Sequence, residues 1–247
     1  MRSLYHRYTM TRKDFFTKSL VASSIIAAAP LLRATESTDQ EISPETGRGP
    51  GRGPRQPLKQ VLEFVQAGHR DLDKIKVMLA QAPGLIHARW DWGDGDWESA
   101  LEGAAHMGRA DIVRYLLSNG VRVDSFSAAM LGDAGTIQAL VKLEPGIANA
   151  KGPHGLPLMF YVGYGGSIVM AEAVTPHLKD RAGECNRALH TATLSGHEAL
   201  VEWLITNGVT DLNTQNFFGK TPLDAALERK FDGIAKLLRS HGGKPSN

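Results

Sequence analysis

The chain has little cysteine, no surplus of either charge and no long apolar run. Cys185 is its one cysteine, so no internal disulfide can form and packing alone must hold the fold. Its 28 basic and 26 acidic residues leave a formal net charge of +2, which offers no global attraction to nucleic acid or an acidic surface. A nucleic-acid partner would need a clustered basic face, and the local basic excess lies only in the N-terminal region. The main apolar stretch, residues 20–32, falls short of the roughly 20 residues that span a bilayer. A phosphate-binding glycine loop is missing too. The glycines of residues 47–54 are interrupted by Pro50 and Pro54, and no Gly-Lys-Ser/Thr follows.

What is present begins with a leader. Arg2, His6, Arg7, Arg12 and Lys13 precede the apolar run, and Arg33 ends it just before Ala34. A basic region, a short apolar region and small residues describe an export signal over residues 1–34, cleaved after Ala29 or Ala34. Thr11-Arg12-Lys13-Asp14-Phe15-Phe16 resembles a twin-arginine leader, with Lys13 standing where the second arginine belongs. Met10 directly precedes that motif, so Met1 and Met10 both remain open as the start. Residues 35–56 are dense in Gly, Pro and charge and almost devoid of apolar side chains. Such a segment cannot bury enough surface to offset its ordering entropy, which predicts a disordered linker.

The remainder is periodic. Asn186 to Asn213 reads as a short helix opening before Ala188-Leu189-His190, a turn at Gly196, a second helix over 198–206, a stop at Asn207-Gly208 and an extended arm. Gly219-Lys220-Thr221-Pro222-Leu223-Asp224-Ala225-Ala226 starts the same pattern again, with Leu223 standing 34 residues after Leu189. Ser99-Ala100-Leu101-Glu102-Gly103-Ala104-Ala105 carries it upstream. Thr221 and Ser99 suit helix caps, and Pro222 suits the first helical position. The alanines allow close helix approach, and Ile112, Leu116, Leu200, Val201, Leu204 and Leu238 lie at helical spacing for a seam. Gly120 and Gly208 follow second helices, where a left-handed residue is the usual stop.

These residues resemble the ankyrin-repeat family, whose period is about 33 residues. The resemblance implies an all-α solenoid of about six helix-turn-helix units with finger loops over residues 57–243, followed by a tail at 244–247. Three units are degenerate: residues 58–89, residues 125–151 with no finger turn, and a fourth opening at Gly155 and reading as irregular around Gly163–Gly166 and Pro176. No unit buries its apolar face alone, so stability must come from stacking. The family implies a protein-binding module with an extended concave surface. With the leader, this points to a monomeric, periplasmic or secreted scaffold for another protein, the alternatives being a host-directed effector and a hydrolase-type enzyme whose site the sequence does not announce.

No residues form a catalytic, cofactor or metal signature. His190 and His197 fall on structural positions of the repeat, and Gly196 breaks the helix between them, against a shared metal. His106, His154 and His177 belong to no ligand pattern, and Cys185 beside His190 is weak as a nucleophile pair. The candidate contact residues lie in the finger Trp90-Asp91-Trp92-Gly93-Asp94-Gly95-Asp96-Trp97-Glu98, which holds three of the four tryptophans. Asp94, Asp96 and Glu98 alternate as in a calcium loop but lack its glycine and distant glutamate. Trp90 and Trp92 share one face of an extended arm. Trp90, Trp92, Asp94 and Asp96 are therefore the expected partner-binding residues, and Trp97 is expected to pack on the adjacent helix.

Overall fold

Reciprocal caps start the helices. The Ser99 hydroxyl accepts from the Glu102 N–H while the Glu102 carboxylate accepts from the Ser99 N–H. Asp124 with Ser127, and Thr221 with Asp224, repeat the arrangement. Each such cap is worth roughly 1 kcal/mol. Asp71, Asp133, Ser167 and Asp180 cap four more helices by side chain alone.

The structure, a computed structural model, describes residues 55–246. The leader, most of the linker and both candidate starts lie outside the described residues. Six helix pairs follow one another: α1 Leu58–Gly68 with α2 Leu72–Gln81, α3 Ala100–His106 with α4 Ala110–Ser118, α5 Ser125–Met130 with α6 Ala134–Leu143. Then come α7 Leu158–Gly165 with α8 Ile168–Val174, α9 Arg181–Leu194 with α10 Glu198–Asn207, and α11 Pro222–Glu228 with α12 Asp232–Ser240. The first helices pack in an unbroken row from α1 through α3, α5, α7 and α9 to α11, and α6, α8, α10 and α12 pack behind them. No helix among the described residues is long and apolar enough to cross a membrane.

One apolar cluster runs through the stack. Phe64, Ile75, Ile112, Leu116, Ile137, Leu158, Met170, Leu189, Leu200 and Leu204 are each almost wholly buried within it. Full burial of such a side chain is worth roughly 1.5–3 kcal/mol. Small residues set the spacing of the row. A Cβ on Gly163 would overlap the Thr191 hydroxyl and the Ala188 carbonyl. α7 and α9 thus meet backbone to backbone, and the Thr191 hydroxyl donates to the Phe160 carbonyl at 2.8 Å across the gap.

Between α2 and α3 the chain makes a 3-10 turn, Pro83–His87, and a hairpin. Strands β1 Arg89–Asp91 and β2 Trp97–Ser99 pair antiparallel, with Trp90 opposite Glu98. Between α6 and α7 two 3-10 turns, Pro145–Asn149 and Pro153–Gly155, lead into a bridge between Lys151 and Pro157.

Several sequence expectations are corrected. α9 begins at Arg181, well before Ala188, because Asp180 supplies a cap there. The fourth unit is regular: α7 runs through Gly163 to Gly165 and stops at left-handed Gly166 (φ 70°), and Pro176 sits in a 3-10 turn after α8. Gly120 is left-handed as expected (φ 93°), but Gly208 is extended (φ −164°). What requires glycine at 208 is contact, since a Cβ would lie 2.5 Å from the Cys185 sulfur. Cys185 itself is fully buried on α9, so it offers no thiol to another molecule. Trp97 is 51% exposed and does not pack on the helix. Residues 244–246 are tied down: the Lys244 N–H donates to the Asn213 side chain, the Thr221 hydroxyl to the Lys244 carbonyl, and the Ser246 N–H to Asp224.

Candidate functional site

The densest polar chemistry among the described residues lies under the first finger. Strand alternation puts Trp90, Trp92, Asp96 and Glu98 on one side of the hairpin, and Glu98 is fully buried there. Three histidines reach it from other elements. His69 lies on the turn between α1 and α2, His106 closes α3, and His154 is in the loop before α7. His69 Nε2 is 3.4 Å from Glu98 Oε2, His106 Nδ1 is 3.0 Å from Oε1, and His154 Nε2 is 3.5 Å from Oε1. One donor atom from each of the four residues falls within 4.8 Å of all the others.

Their orientation is held from outside. His69 Nδ1 donates to the Val65 carbonyl at 3.1 Å, which leaves Nε2 facing Glu98. His154 Nδ1 donates to Asp96 Oδ2 at 2.7 Å, and its backbone N–H donates to Oδ1 of the same carboxylate at 2.8 Å. That double contact holds His154 in the left-handed region, φ 59°, a conformation that costs a residue with a side chain of order 1 kcal/mol or more. Trp92 Nε1–H donates to Glu98 Oε2 at 2.7 Å. Gly103 makes room, because a Cβ there would stand 3.0 Å from the His69 ring. The His69 and His106 rings meet edge to face at 4.9 Å, and those of His106 and His154 at 5.2 Å.

Charge follows from this geometry. Burial alone would raise the Glu98 carboxyl, yet the imidazoles of His106 and His69 and the Trp92 indole hold it below its ordinary value. The His154 backbone N–H and ring lower Asp96 as well. Burial lowers His69 against the pull of Glu98. An ionised, fully buried carboxylate is costly without compensation. Even so, Glu98 Oε1 and His106 Nδ1, 3.0 Å apart, lie off the line that a hydrogen bond needs, and both lack a partner.

The four residues named from sequence thus divide. Asp96 orients His154, Trp92 holds Glu98 and keeps 39% of its surface, Trp90 is half-buried, and Asp94 is exposed at the hairpin tip. His106 and His154, which fit no ligand pattern in the sequence, stand together with His69 and Glu98 in the fold. His190 and His197 are structural as expected. Each donates its Nε2–H to a backbone carbonyl, His190 to Thr214 in the last finger and His197 to Tyr164 of the preceding unit.

A second surface lies at the other end of the repeats. Phe217 and Phe218 stand 87% and 85% exposed on the last finger. Beside them a cleft of about 390 Å³ runs between that finger and the first helices, lined by Leu156, Phe160, Arg187, His190 and Phe217.

A family model for ankyrin repeats, in three copies, matches residues 126–247, which covers α5 to α12 and includes His154 but not His69, Glu98 or His106. No curated protein matches the chain. With six stacked helix pairs among the described residues, the chain belongs to the ankyrin-repeat family.

Proposed function

We propose that the chain is a non-enzymatic protein-binding scaffold whose partner docks on the last finger and the cleft beside it. Ankyrin repeats are protein-interaction modules. The observation that carries the location is the pair Phe217 and Phe218, almost fully exposed beside the cleft. Two adjacent exposed phenylalanines are an unusual surface for a monomer and supply the aromatic anchors that dominate interfaces. A partner long enough to span the row also meets the exposed parts of Trp92 and Asp94 on the first finger. The basic and apolar leader supports a location outside the cytoplasm, periplasmic or secreted. N-terminal sequencing of the native protein tests that location, and a chain still beginning at Met1 or Met10 overturns it.

The test of the binding surface is affinity capture from an envelope extract with the wild-type chain and with Phe217→Ala/Phe218→Ala. The double variant keeps its melting temperature, since neither ring packs. It loses partner capture by about 30-fold or more, the equivalent of one aromatic anchor of about 2 kcal/mol. Undiminished capture by the variant overturns the reading.

A further inference from the structure

We propose that His69, Glu98, His106 and His154 form a binding site for one divalent first-row transition-metal ion of the zinc class. The ion would staple the first finger to the α1–α2 turn, the end of α3 and the loop before α7. This site is separate from the scaffold reading and stands or falls independently of it.

Four observations carry it. The first is distance. Ligand atoms about 2.0–2.1 Å from a zinc ion at tetrahedral angles stand about 3.3–3.4 Å apart. His106 Nδ1 and His154 Nε2 lie 3.0 and 3.5 Å from Glu98 Oε1, and His69 Nε2 lies 3.4 Å from Oε2. One ligand atom from each residue falls within 4.8 Å of all the others, close enough for small side-chain movements to gather them on one ion. The second is the direction of the lone pairs. His69 and His154 spend their Nδ1–H groups on the Val65 carbonyl and Asp96, so both Nε2 atoms turn inward. A histidine that donates its outer N–H to a carboxylate or carbonyl while its other nitrogen faces a shared point is the usual outer shell of a metal ligand.

The third is the pair of buried atoms without partners, Glu98 Oε1 and His106 Nδ1. A single proton does not satisfy this set, because it serves one misaligned pair and leaves the other nitrogens facing a carboxylate and one another. A cation at the centre satisfies all four donors together. The fourth is the ligand chemistry. Three imidazoles and one carboxylate suit zinc and its first-row neighbours, whereas calcium and magnesium take oxygen shells. Four protein ligands make a closed site, which is the structural rather than the catalytic form. The ligands come from the first two repeats and from a loop 48 residues beyond His106, so the ion adds cross-links that nearest-neighbour stacking does not provide.

The test uses the full chain, stripped with a chelator and titrated with Co²⁺ and then Zn²⁺. One equivalent of Co²⁺ is expected to give the intense visible bands of four-coordinate cobalt, which Zn²⁺ removes and Ca²⁺ and Mg²⁺ do not. Zn²⁺ is also expected to raise the melting temperature. Glu98→Gln and His154→Ala should weaken Co²⁺ binding more than 100-fold, and Asp96→Asn, which only disorients His154, by about 10–100-fold. His87→Ala, an exposed histidine outside the cluster, should bind as the wild type does. Circular dichroism reports whether each variant folds. A measurement that needs no ligand change covers the case where one does not. Co²⁺ should quench the indoles of Trp90 and Trp92 beside the site, and Trp92→Phe should lose part of that quenching while keeping the bands. The proposal is overturned if the wild type binds no equivalent of Co²⁺ or Zn²⁺, if the folded Glu98 and His154 variants bind undiminished, or if Ca²⁺ binds in preference.

Discussion

At the level of single residues, what decides a position here is what its neighbour leaves room for. Gly208 reads in the sequence as a left-handed helix stop, but the Cys185 sulfur is the reason for glycine there. The same burial pushes the Cys185 thiol up to about 11, which keeps it protonated and inert. His190 shows how burial turns into a pH response. Burial lowers its pKa from the ordinary 6.5, and the hydrogen bond to the Thr214 carbonyl only partly offsets this. Above 6.5 His190 is neutral in both the folded and the unfolded chain and contributes no pH dependence. As the pH falls below 6.5 the unfolded chain takes up a proton that the folded chain refuses, so stability is lost until the lowered folded pKa is passed. His190→Gln keeps an N–H at the position of Nε2 and cannot titrate. Urea denaturation at pH 7.5 and 5.5 should show a smaller acid loss for the variant than for the wild type. Equal losses would mean that His190 is protonated in the fold.

Single elements were legible wherever they carry their own signals. α3, α11 and α12 stand where caps, alanines and apolar spacing put them, because those signals act within one turn of the chain. Other segments were not: α9 starts at Arg181 on the Asp180 cap, and α7 persists through Gly163 and Gly165 because its face lies directly on α9. The site was least legible. His69 and His106 end helices and His154 lies in a loop, 37 and then 48 positions apart along the chain, so no local spacing announces a ligand set. The one available signal was Glu98, an acid on the strand face shared with Trp90 and Trp92, and it reads as surface until α1 and α3 cover it. α10 offers a direct check of register. Leu204 is fully buried on it, and Leu204→Ala should cost about 2–5 kcal/mol in chemical denaturation. A loss below about 1 kcal/mol would place that side chain outside the seam.

At the scale of the whole molecule, stability is a chain of neighbour contacts, so the place where a perturbation is felt tells as much as its size. Among the described residues, α11 and α12 pack on α9 and α10, and residues 244–246 add hydrogen-bond partners to the start of α11 and the last finger. The Lys244 carbonyl accepts the hydroxyl of Thr221, a residue that is 3% exposed, and the Lys244 N–H reaches Asn213 in the last finger. Asp224 gains a second backbone donor from Ser246. Burial would raise its carboxyl, but the N–H groups of Thr221 and Ser246 hold it down at about 2. Deleting residues 244–247 strips these partners from the cap of α11 and should cost about 1–3 kcal/mol, the usual penalty for leaving a buried polar group unpaired. Amide hydrogen exchange should then quicken in α11 and α12, more weakly in α10, and not at all in α1 to α4, which share no contact with the lost segment. Uniform acceleration across all six pairs would show that the stack opens as a single cooperative unit, and that the ends do not fray independently.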